Sequence, residues 1–202
     1  DDYNHAHQRF PVQYVIRPQS DQYHDYRGYA GRIASGIFKS GDPVKVLPSG
    51  LKTRIRGVHS MDKQLDAAFA PQSVTLTLED DIDISRGDMI VGEIKAPEMG
   101  REIDMMICWL GEKPLQLRGK YIMKHTTNDM KCMIQEVKYK IDVNTLEKNY
   151  DDTSVVLNEI ARIKIKTTKP IFYDPYKINR ITGSIILIDE STNNTVCAGM
   201  II

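Results

Sequence analysis

Residues that could do chemistry are sparse in this chain, and the most informative question is whether it holds a phosphate-binding loop. Such a loop follows the pattern G-x-x-x-x-G-K-[ST], because backbone amides must wrap the phosphates while the lysine and the hydroxyl reach the terminal phosphate and magnesium. The nearest match runs from Gly111 to Gly119-Lys120, but its spacing is wrong, Pro114 interrupts it, and Tyr121 replaces the hydroxyl residue. We expect a plain connecting loop there, and no cofactor bound by this chain.

Carboxylates are concentrated at residues 79–83, where the sequence reads EDDID directly after an alternating apolar and polar run. Oxygen ligands of this kind could hold calcium or magnesium, but the run lacks the glycine and the distal glutamate of an EF-hand loop. Charge runs usually face solvent. A solvated turn between strands is therefore the preferred interpretation, and we predict no metal site.

The histidines do not form an evident catalytic group. His5 and His7 make an H-x-H pair that a strand would place on one face, at a spacing compatible with a metal. They lie in residues 1–8, which we expect to be an N-terminal tail or linker because chain termini are commonly frayed. His24, His59 and His125 stand alone, without a nucleophilic serine or cysteine in a recognisable motif. No catalytic residue is predicted.

The run RGYAGR at residues 27–32 is the strongest candidate for a binding function. Its two glycines leave backbone accessible beside arginine and tyrosine, the residue types that often dominate protein interfaces. The alternative is a strand entry in which the glycines permit the tight curvature of a barrel. Both interpretations are open at this point. The candidate interface residues are Arg27, Gly28, Tyr29, Gly31 and Arg32.

The balance of charge excludes a broad attraction to polyanions, because Lys plus Arg and Asp plus Glu number 27 each among 202 residues. The chain therefore has no net field toward nucleic acid or a membrane surface. Cys108, Cys132 and Cys197 show no C-x-x-C spacing, and we expect reduced, buried thiols in a cytoplasmic protein. No segment approaches the roughly 20 apolar residues that cross a bilayer. Neither a nucleic acid nor a membrane is an expected partner.

The elements that position these residues are predicted to be strands, because alternation with a period of two dominates the chain. Residues 74–78 and 161–166 are clear examples. Only residues 62–70 hint at a helical turn. Many short strands separated by turn residues favour an all-β fold of antiparallel barrels, which close their edges. The other predicted strands are 11–17, 29–38, 44–47, 54–59, 89–94, 103–110, 121–124, 133–141, 182–188 and 195–202.

The strand pattern stops at residues 95–100, where KAPEMG interrupts the alternation before it resumes at Ile103. Short polar stretches with proline and glycine are typical of domain boundaries. We place the boundary there. It gives one β-barrel at residues 9–95 and a second at residues 100–202.

Four motifs occur in a characteristic order: GYAGRIASG at residues 28–36, KSGDPV at 39–44, AAFA at 67–70 and ISRGD at 84–88. Together they resemble the second domain of translation-factor GTPases such as elongation factor Tu. Members of that family have a nucleotide-binding domain followed by two β-barrels. The resemblance implies that this chain holds the equivalents of domains 2 and 3.

A second set of motifs covers nearly the whole chain: RFPVQYVIRP at residues 9–18, LPSG at 47–50, LEDDIDI at 78–84, YKIDVNTL at 139–146, YKINRITG at 176–183 and AGMI at 198–201. These motifs are similar to the GTPase large subunit of bacterial sulfate adenylyltransferase. The chain departs from that pattern at residues 19–26, which form a longer link than usual, and in lacking the nucleotide domain.

The resemblance implies a parent nucleotidyltransferase that couples GTP hydrolysis to the synthesis of adenosine 5′-phosphosulfate and pyrophosphate from ATP and sulfate. GTP and Mg²⁺ would bind the missing nucleotide domain, and adenylyl transfer would belong to a separate small catalytic subunit. This fragment alone would be inactive and would dock against its own GTPase domain and that subunit. The alternative is the tRNA-binding barrel pair of an elongation-factor-like GTPase.

Overall fold

The structure is a computed structural model that describes residues 4–17 and 26–202. Residues 1–3 and 18–25 lie outside the described part, and with them His24 and most of the predicted long link at residues 19–26. The described residues form strands and turns, so the prediction of an all-β fold is confirmed. Among them, no helix is long and apolar enough to cross a membrane.

Seventeen strands follow one another along the described chain. They are β1 (Arg9–Pro11), β2 (Tyr14–Ile16), β3 (Gly28–Arg32), β4 (Ile37–Lys39), β5 (Pro43–Leu47), β6 (Lys52–Ser60), β7 (Lys63–Leu65), β8 (Ala67–Phe69), β9 (Ser73–Leu78), β10 (Met89–Gly92), β11 (Glu98–Trp109), β12 (Lys120–His125), β13 (Asn128–Ile141), β14 (Lys148–Asn149), β15 (Ile160–Tyr173), β16 (Ser184–Ile188) and β17 (Thr195–Ile201). The chain divides into two compact units, Asp1–Pro97 and Glu98–Ile202.

In the first unit, one sheet runs in the order β1-β10-β5-β6-β9-β3-β2, with β7 paired to β6 and a separate pair formed by β4 and β8. The sheet closes on itself next to β3. Arg9 N donates to Ser35 O over 3.0 Å, and Ala34 N donates to Arg9 O over 2.9 Å. Phe10 and Phe38, both fully buried, meet edge to face inside this barrel with ring centroids 6.0 Å apart. Their burial drives closure, since each large apolar side chain removed from water contributes about 1.5–3 kcal/mol.

The second unit is a closed barrel of six strands in the order β12-β16-β17-β11-β15-β13, in which β13 pairs back with β12 and β14 extends the β13 edge. Alternation along β11 turns Ile103, Met105, Ile107 and Trp109 into the core. Trp109 packs edge to face against Tyr121, with ring centroids 5.7 Å apart. Because every core strand has two neighbours, this barrel leaves no long unpaired edge.

The helical turn predicted for residues 62–70 is wrong. The segment forms β7 and β8, which pair with β6 and β4 respectively. A run such as DKQLDAA suits a helix locally, but strand pairing buries Ala68 completely against the core. Tertiary packing overrides local propensity at such positions.

Residues 4–8, which the sequence predicts to be a tail or linker, are tied to the first unit. Gly36 N donates to Asn4 O over 2.6 Å, and Ser35 Oγ donates to His7 O. Gln8 Nε2 donates to Ile37 O over 2.7 Å. These hydrogen bonds place the segment beside the Arg9–Ser35 closure of the barrel.

Candidate interaction site

Four of the five predicted interface residues belong to β3, and Arg27 immediately precedes it. Glycine is required at two of these positions by close packing. A Cβ on Gly31 would lie 2.5 Å from Pro11 O, and a Cβ on Gly28 would lie 2.7 Å from Thr75 Cγ2. Close packing against neighbouring strands therefore accounts for both glycines.

Tyr29 is not available to a partner on the surface of this unit, because it is 2% exposed and faces the core. Its hydroxyl donates to Ile82 O over 3.0 Å. Burial raises the pKa of Tyr29, and the neighbouring charge of Arg27 opposes that rise only in part. The expectation of an exposed tyrosine is thus incorrect, since the alternation of β3 directs residue 29 inward.

Arg27 and Arg32 keep their surface character. Arg27 Nη1 lies 2.9 Å from Asp81 Oδ1, and the arginine side chain is about one-third exposed. Arg32 is exposed and donates from Nε to Pro71 O over 3.0 Å. The Arg27 guanidinium is oriented by Asp81 and by a hydrogen bond to Tyr29, and both arginines retain further donors. They are suited to polar recognition.

A groove of about 560 Å³ runs beside Arg27 and is shared with the acidic run that follows β9. Two carboxylates of that run have protein partners: Asp80 Oδ2 accepts from Thr53 Oγ1 over 2.8 Å, and Asp81 Oδ1 pairs with Arg27. Arg56 Nη2 donates to the main-chain carbonyl of Glu79 over 3.0 Å. In the described residues, no group of three or more His, Cys, Asp or Glu could hold a metal ion. The run therefore forms one wall of a charged groove.

The second unit carries an apolar surface that the sequence analysis missed. Outward-facing residues of four neighbouring strands are paired in register in one row, Ile160, Cys108, Ala198 and Ile186. The next row contains the cross-strand pair Met106 and Met200, the latter 46% exposed. Arg162 and Ser184 complete that second row. We define the apolar face as Ile160, Cys108, Ala198, Ile186, Met106 and Met200, over which lies a shallow depression of about 480 Å³. Apolar patches of this kind are typical of interaction sites.

No local signal could have identified the apolar face from the sequence. Each strand contributes only one or two of its residues, and each of those residues is ordinary in a strand with one buried side. Only the register between β11, β15, β16 and β17 brings them together. The pairing of β3 with β9 is likewise what places Arg27 near Asp81.

The second unit matches a known protein family. Residues 102–202, which contain most of the closed six-stranded barrel, match the model of the GTP-eEF1A C-terminal domain-like family. The chain belongs to this family. The match spans the strands that carry the apolar face, so that face lies on a GTP-eEF1A C-terminal-like barrel.

The whole chain is also similar to longer curated proteins. It is 46% identical over 209 residues to "Sulfate adenylyltransferase subunit 1" of Bacteroides thetaiotaomicron, covering 100% of this chain and 42% of that protein. It is 44% identical over 202 residues to "Bifunctional enzyme CysN/CysC" of Mycobacterium tuberculosis, covering 100% of this chain and 33% of that protein. These relatives confirm the predicted resemblance. The chain spans less than half the length of either of them.

Solved structures confirm the predicted fold. The chain superposes on a crystal structure of sup35 complexed with GMPPNP with a TM-score of 0.84 and 16% sequence identity, covering 99% of this chain and 48% of that one. Elongation factor SelB of Methanococcus maripaludis, in its apo form, gives a TM-score of 0.77 at 16% identity. At this identity the likeness extends to the two-barrel fold alone, and the tRNA-binding alternative gains nothing further from it.

Proposed function

We propose that this chain is the two-barrel part of a sulfate adenylyltransferase subunit 1 that acts in the cytoplasm. The observation that carries the proposal is the 46% identity to such a subunit across the full length of the chain. The parent enzyme would couple GTP hydrolysis to the synthesis of adenosine 5′-phosphosulfate and pyrophosphate from ATP and sulfate. The coupling has a physical motive, because a phosphosulfate anhydride is a high-energy product and its formation from ATP alone is strongly uphill.

The barrels would take part in this coupling without chemistry of their own. The 202 residues contain no phosphate-loop pattern, so GTP and Mg²⁺ would be bound by another domain of the parent. Adenylyl transfer would take place on a separate small catalytic subunit. A nucleotide switch changes the position of a barrel only if the barrel binds the two nucleotide states with different free energies. The barrels therefore need a docking surface.

Two features of the described residues support a docking role. The apolar face of the second unit offers Met106 and Met200, flexible side chains that adapt to more than one partner surface. The Arg27 groove of the first unit offers oriented charges of both signs. Apolar contact supplies affinity, while charge pairs fix orientation. We assign the apolar face to contact with the GTPase domain.

The test compares two exposed methionines of the second unit in the full-length large subunit assayed with its small catalytic subunit. Met200→Glu places a charge on the apolar face, whereas Met99→Glu is a matched control at the start of β11, where Met99 is 62% exposed. We expect Met200→Glu to lower GTP-dependent adenosine 5′-phosphosulfate synthesis at least tenfold, about 1.4 kcal/mol of coupling. The number of GTP molecules hydrolysed per molecule of adenosine 5′-phosphosulfate formed should rise.

The first unit is tested by Arg32→Ala in the same assay, since the Arg32 side chain is exposed and donates from Nε to Pro71 O of its own barrel. Coupling and subunit affinity that are unchanged in Arg32→Ala would remove this residue from the site. Equal activity of the Met200→Glu and Met99→Glu enzymes would remove the apolar face. The proposed function itself would be contradicted if the wild-type large and small subunits made adenosine 5′-phosphosulfate at the same rate with and without GTP.

A further inference from the structure

Exposed apolar side chains are concentrated in the 142–159 segment, the connection from β13 to β15 that contains β14. Leu146 is 76% exposed, Tyr150 is 62% exposed and Val143 is 58% exposed. Val156 and Leu157 are also exposed. Large apolar residues in this number on one short connection are unusual for a surface that faces only water.

The segment is held in one conformation by Lys140, whose side chain is 12% exposed. Its Nζ lies 2.8 Å from Asp152 Oδ2, 2.8 Å from Glu159 Oε2 and 2.8 Å from Ser154 O. One ammonium group on β13 thus ties three points of the following connection together. Burial alone would lower the pKa of Lys140, but its hydrogen bonds to Asp152 and Glu159 outweigh that effect and raise it.

Further contacts hold the segment at three points along its length. Val155 is fully buried, and its carbonyl accepts from Leu115 N over 2.9 Å. Tyr150 packs on Tyr139 with ring centroids 5.3 Å apart. At the first turn, Asp142 Oδ1 accepts from Asn144 N over 2.8 Å. A surface that is already ordered loses less conformational entropy when a partner binds it.

Strand pairing places the two turns of the segment side by side. Ile141 at the end of β13 is paired with Ile160 at the start of β15, so the turn that bears Leu146 and the turn that bears Leu157 leave the barrel at the same end. Trp109 N donates to Glu159 O over 2.9 Å, which brings the end of β11 to this place as well. The exposed apolar residues therefore share one end of the second barrel.

The charge of the segment is one-sided although that of the whole chain is balanced. Residues 142–159 hold five carboxylates, Asp142, Glu147, Asp151, Asp152 and Glu159, and one basic residue, Lys148, whereas the chain has 27 of each sign. A local negative field repels phosphate backbones and anionic membrane surfaces. It attracts a partner surface of positive potential.

We propose that the 142–159 segment is a preformed docking loop for a protein partner that presents an apolar pocket bordered by lysine and arginine. Resting on the proposed function, the partner we commit to is the small catalytic subunit. Leu146 and Val143 enter the pocket. The carboxylates that Lys140 does not bind, Asp142, Glu147 and Asp151, pair with its basic rim. The contact lies at the end of the barrel, next to Ile160 of the apolar face, and uses different residues from that face.

The experiment measures binding of the 202-residue chain to the small catalytic subunit by titration calorimetry. Leu146→Asp is compared with Leu117→Asp, a matched control in the connection between β11 and β12 where Leu117 is 59% exposed. We expect Leu146→Asp to weaken binding by about tenfold or more, as for a central apolar contact, and Leu117→Asp to change it less than about twofold. Raising NaCl from about 50 to about 500 mM should weaken wild-type binding severalfold.

Five outcomes decide whether the 142–159 segment is a docking loop. Leu146→Asp with wild-type affinity, or an equal loss in Leu117→Asp, would overturn the docking loop while leaving the proposed function intact. No binding of the wild-type chain to the small subunit would remove this partner and count against the proposed function as well. Sedimentation of the chain with phosphatidylcholine vesicles, abolished by Leu146→Asp, would replace the protein partner by a lipid surface. Affinity lost only in Leu146→Asp, with the stated salt dependence, supports the loop.

Discussion

Asp104 offers a quantitative test of the electrostatics on the outer face of the second barrel. Its carboxylate accepts two hydrogen bonds from Arg162, from Nε over 2.9 Å and from Nη2 over 2.8 Å, and a third from Lys138 Nζ. The three residues belong to β11, β15 and β13, so the cluster links adjacent strands. Two parallel bonds from one guanidinium to one carboxylate form the strongest common ion-pair geometry.

The expected effect of Asp104→Asn follows from the pKa of Asp104. Hydrogen bonds from Arg162, assisted by Lys138 and opposed by partial burial, lower this pKa from 3.8 to about 2. At about 1.4 kcal/mol per pH unit the difference corresponds to about 2 kcal/mol. The Asp104 side chain is 27% exposed, and screening by water reduces the contribution to about 1–2 kcal/mol.

The sign of the pH dependence is fixed by the lowered pKa. An acid that is stronger in the folded state stabilises the protein above its unfolded pKa, and that stability is lost as the pH falls from about 4 toward 2. Urea unfolding followed by the fluorescence of Trp109, the single tryptophan of the chain, reports on the second unit. Wild type should exceed Asp104→Asn by about 1–2 kcal/mol at pH 6, and the difference should shrink below pH 4.

The control is the exposed Asp129, which has no such ion cluster within the part of the chain that the structure describes. Asp129→Asn should unfold within about 0.5 kcal/mol of wild type at every pH, as surface substitutions usually do. A stability difference for Asp104→Asn that stays constant from pH 6 to pH 2 would refute the reasoning. An equal loss in Asp129→Asn would do the same, because it would show that the cluster geometry has no special effect.

Two further predictions concern packing and burial. Gly31→Ala should lower the stability of the first unit by about 2 kcal/mol or more, because the added Cβ would lie 2.5 Å from the backbone oxygen of Pro11. Gly100→Ala should be nearly neutral, because its added Cβ would have no neighbouring atom closer than 3.8 Å. Thermal melting followed by circular dichroism checks both variants. His125 is buried, and its Nε2 donates to Thr182 O over 2.6 Å. Burial lowers the pKa of His125 in the folded state, so as the pH falls the unfolded chain binds a proton at this residue before the folded chain does. The free energy of unfolding should therefore decrease below about pH 6.5. Urea unfolding between pH 7 and 5 should lose this slope in His125→Gln and keep it in His59→Gln.

Local periodicity was sufficient to find most strands, because the alternation of strands such as β9 and the start of β15 is visible in a few consecutive residues. It failed where a strand changes register. β15 continues past Lys166 to Tyr173 through Pro170, and its pairing with β11 shifts between Gly100 and Glu102. Proline is tolerated at such irregularities, but in the sequence it looks like a strand end. The same shift explains why residues 98–100, predicted to lie in a boundary, begin β11.

The candidate surfaces were harder to predict because side-chain direction and register decide them. RGYAGR stays a predicted interface run, and within it the buried Tyr29 leaves the two arginines at the surface. The YKIDVNTL motif was recognised only as a family resemblance. Leu146 of this motif is a candidate contact residue because Lys140 orders the connection around it. The three partners of Lys140 lie beyond the motif, so the motif alone could not reveal this.

The location of the binding surfaces follows from how the second barrel is built. Its interior is filled by side chains such as Ile103, Met105 and Trp109, each at most 1% exposed, so recognition must use the outer face or the barrel ends. A filled, closed barrel also moves as a rigid body, because packed interiors deform little. Contacts at the apolar face would then reposition the 142–159 segment without any change inside the barrel. A GTPase domain on the apolar face and a catalytic subunit on the 142–159 segment would contact neighbouring parts of one rigid body and would be coupled mechanically, in keeping with the proposed function.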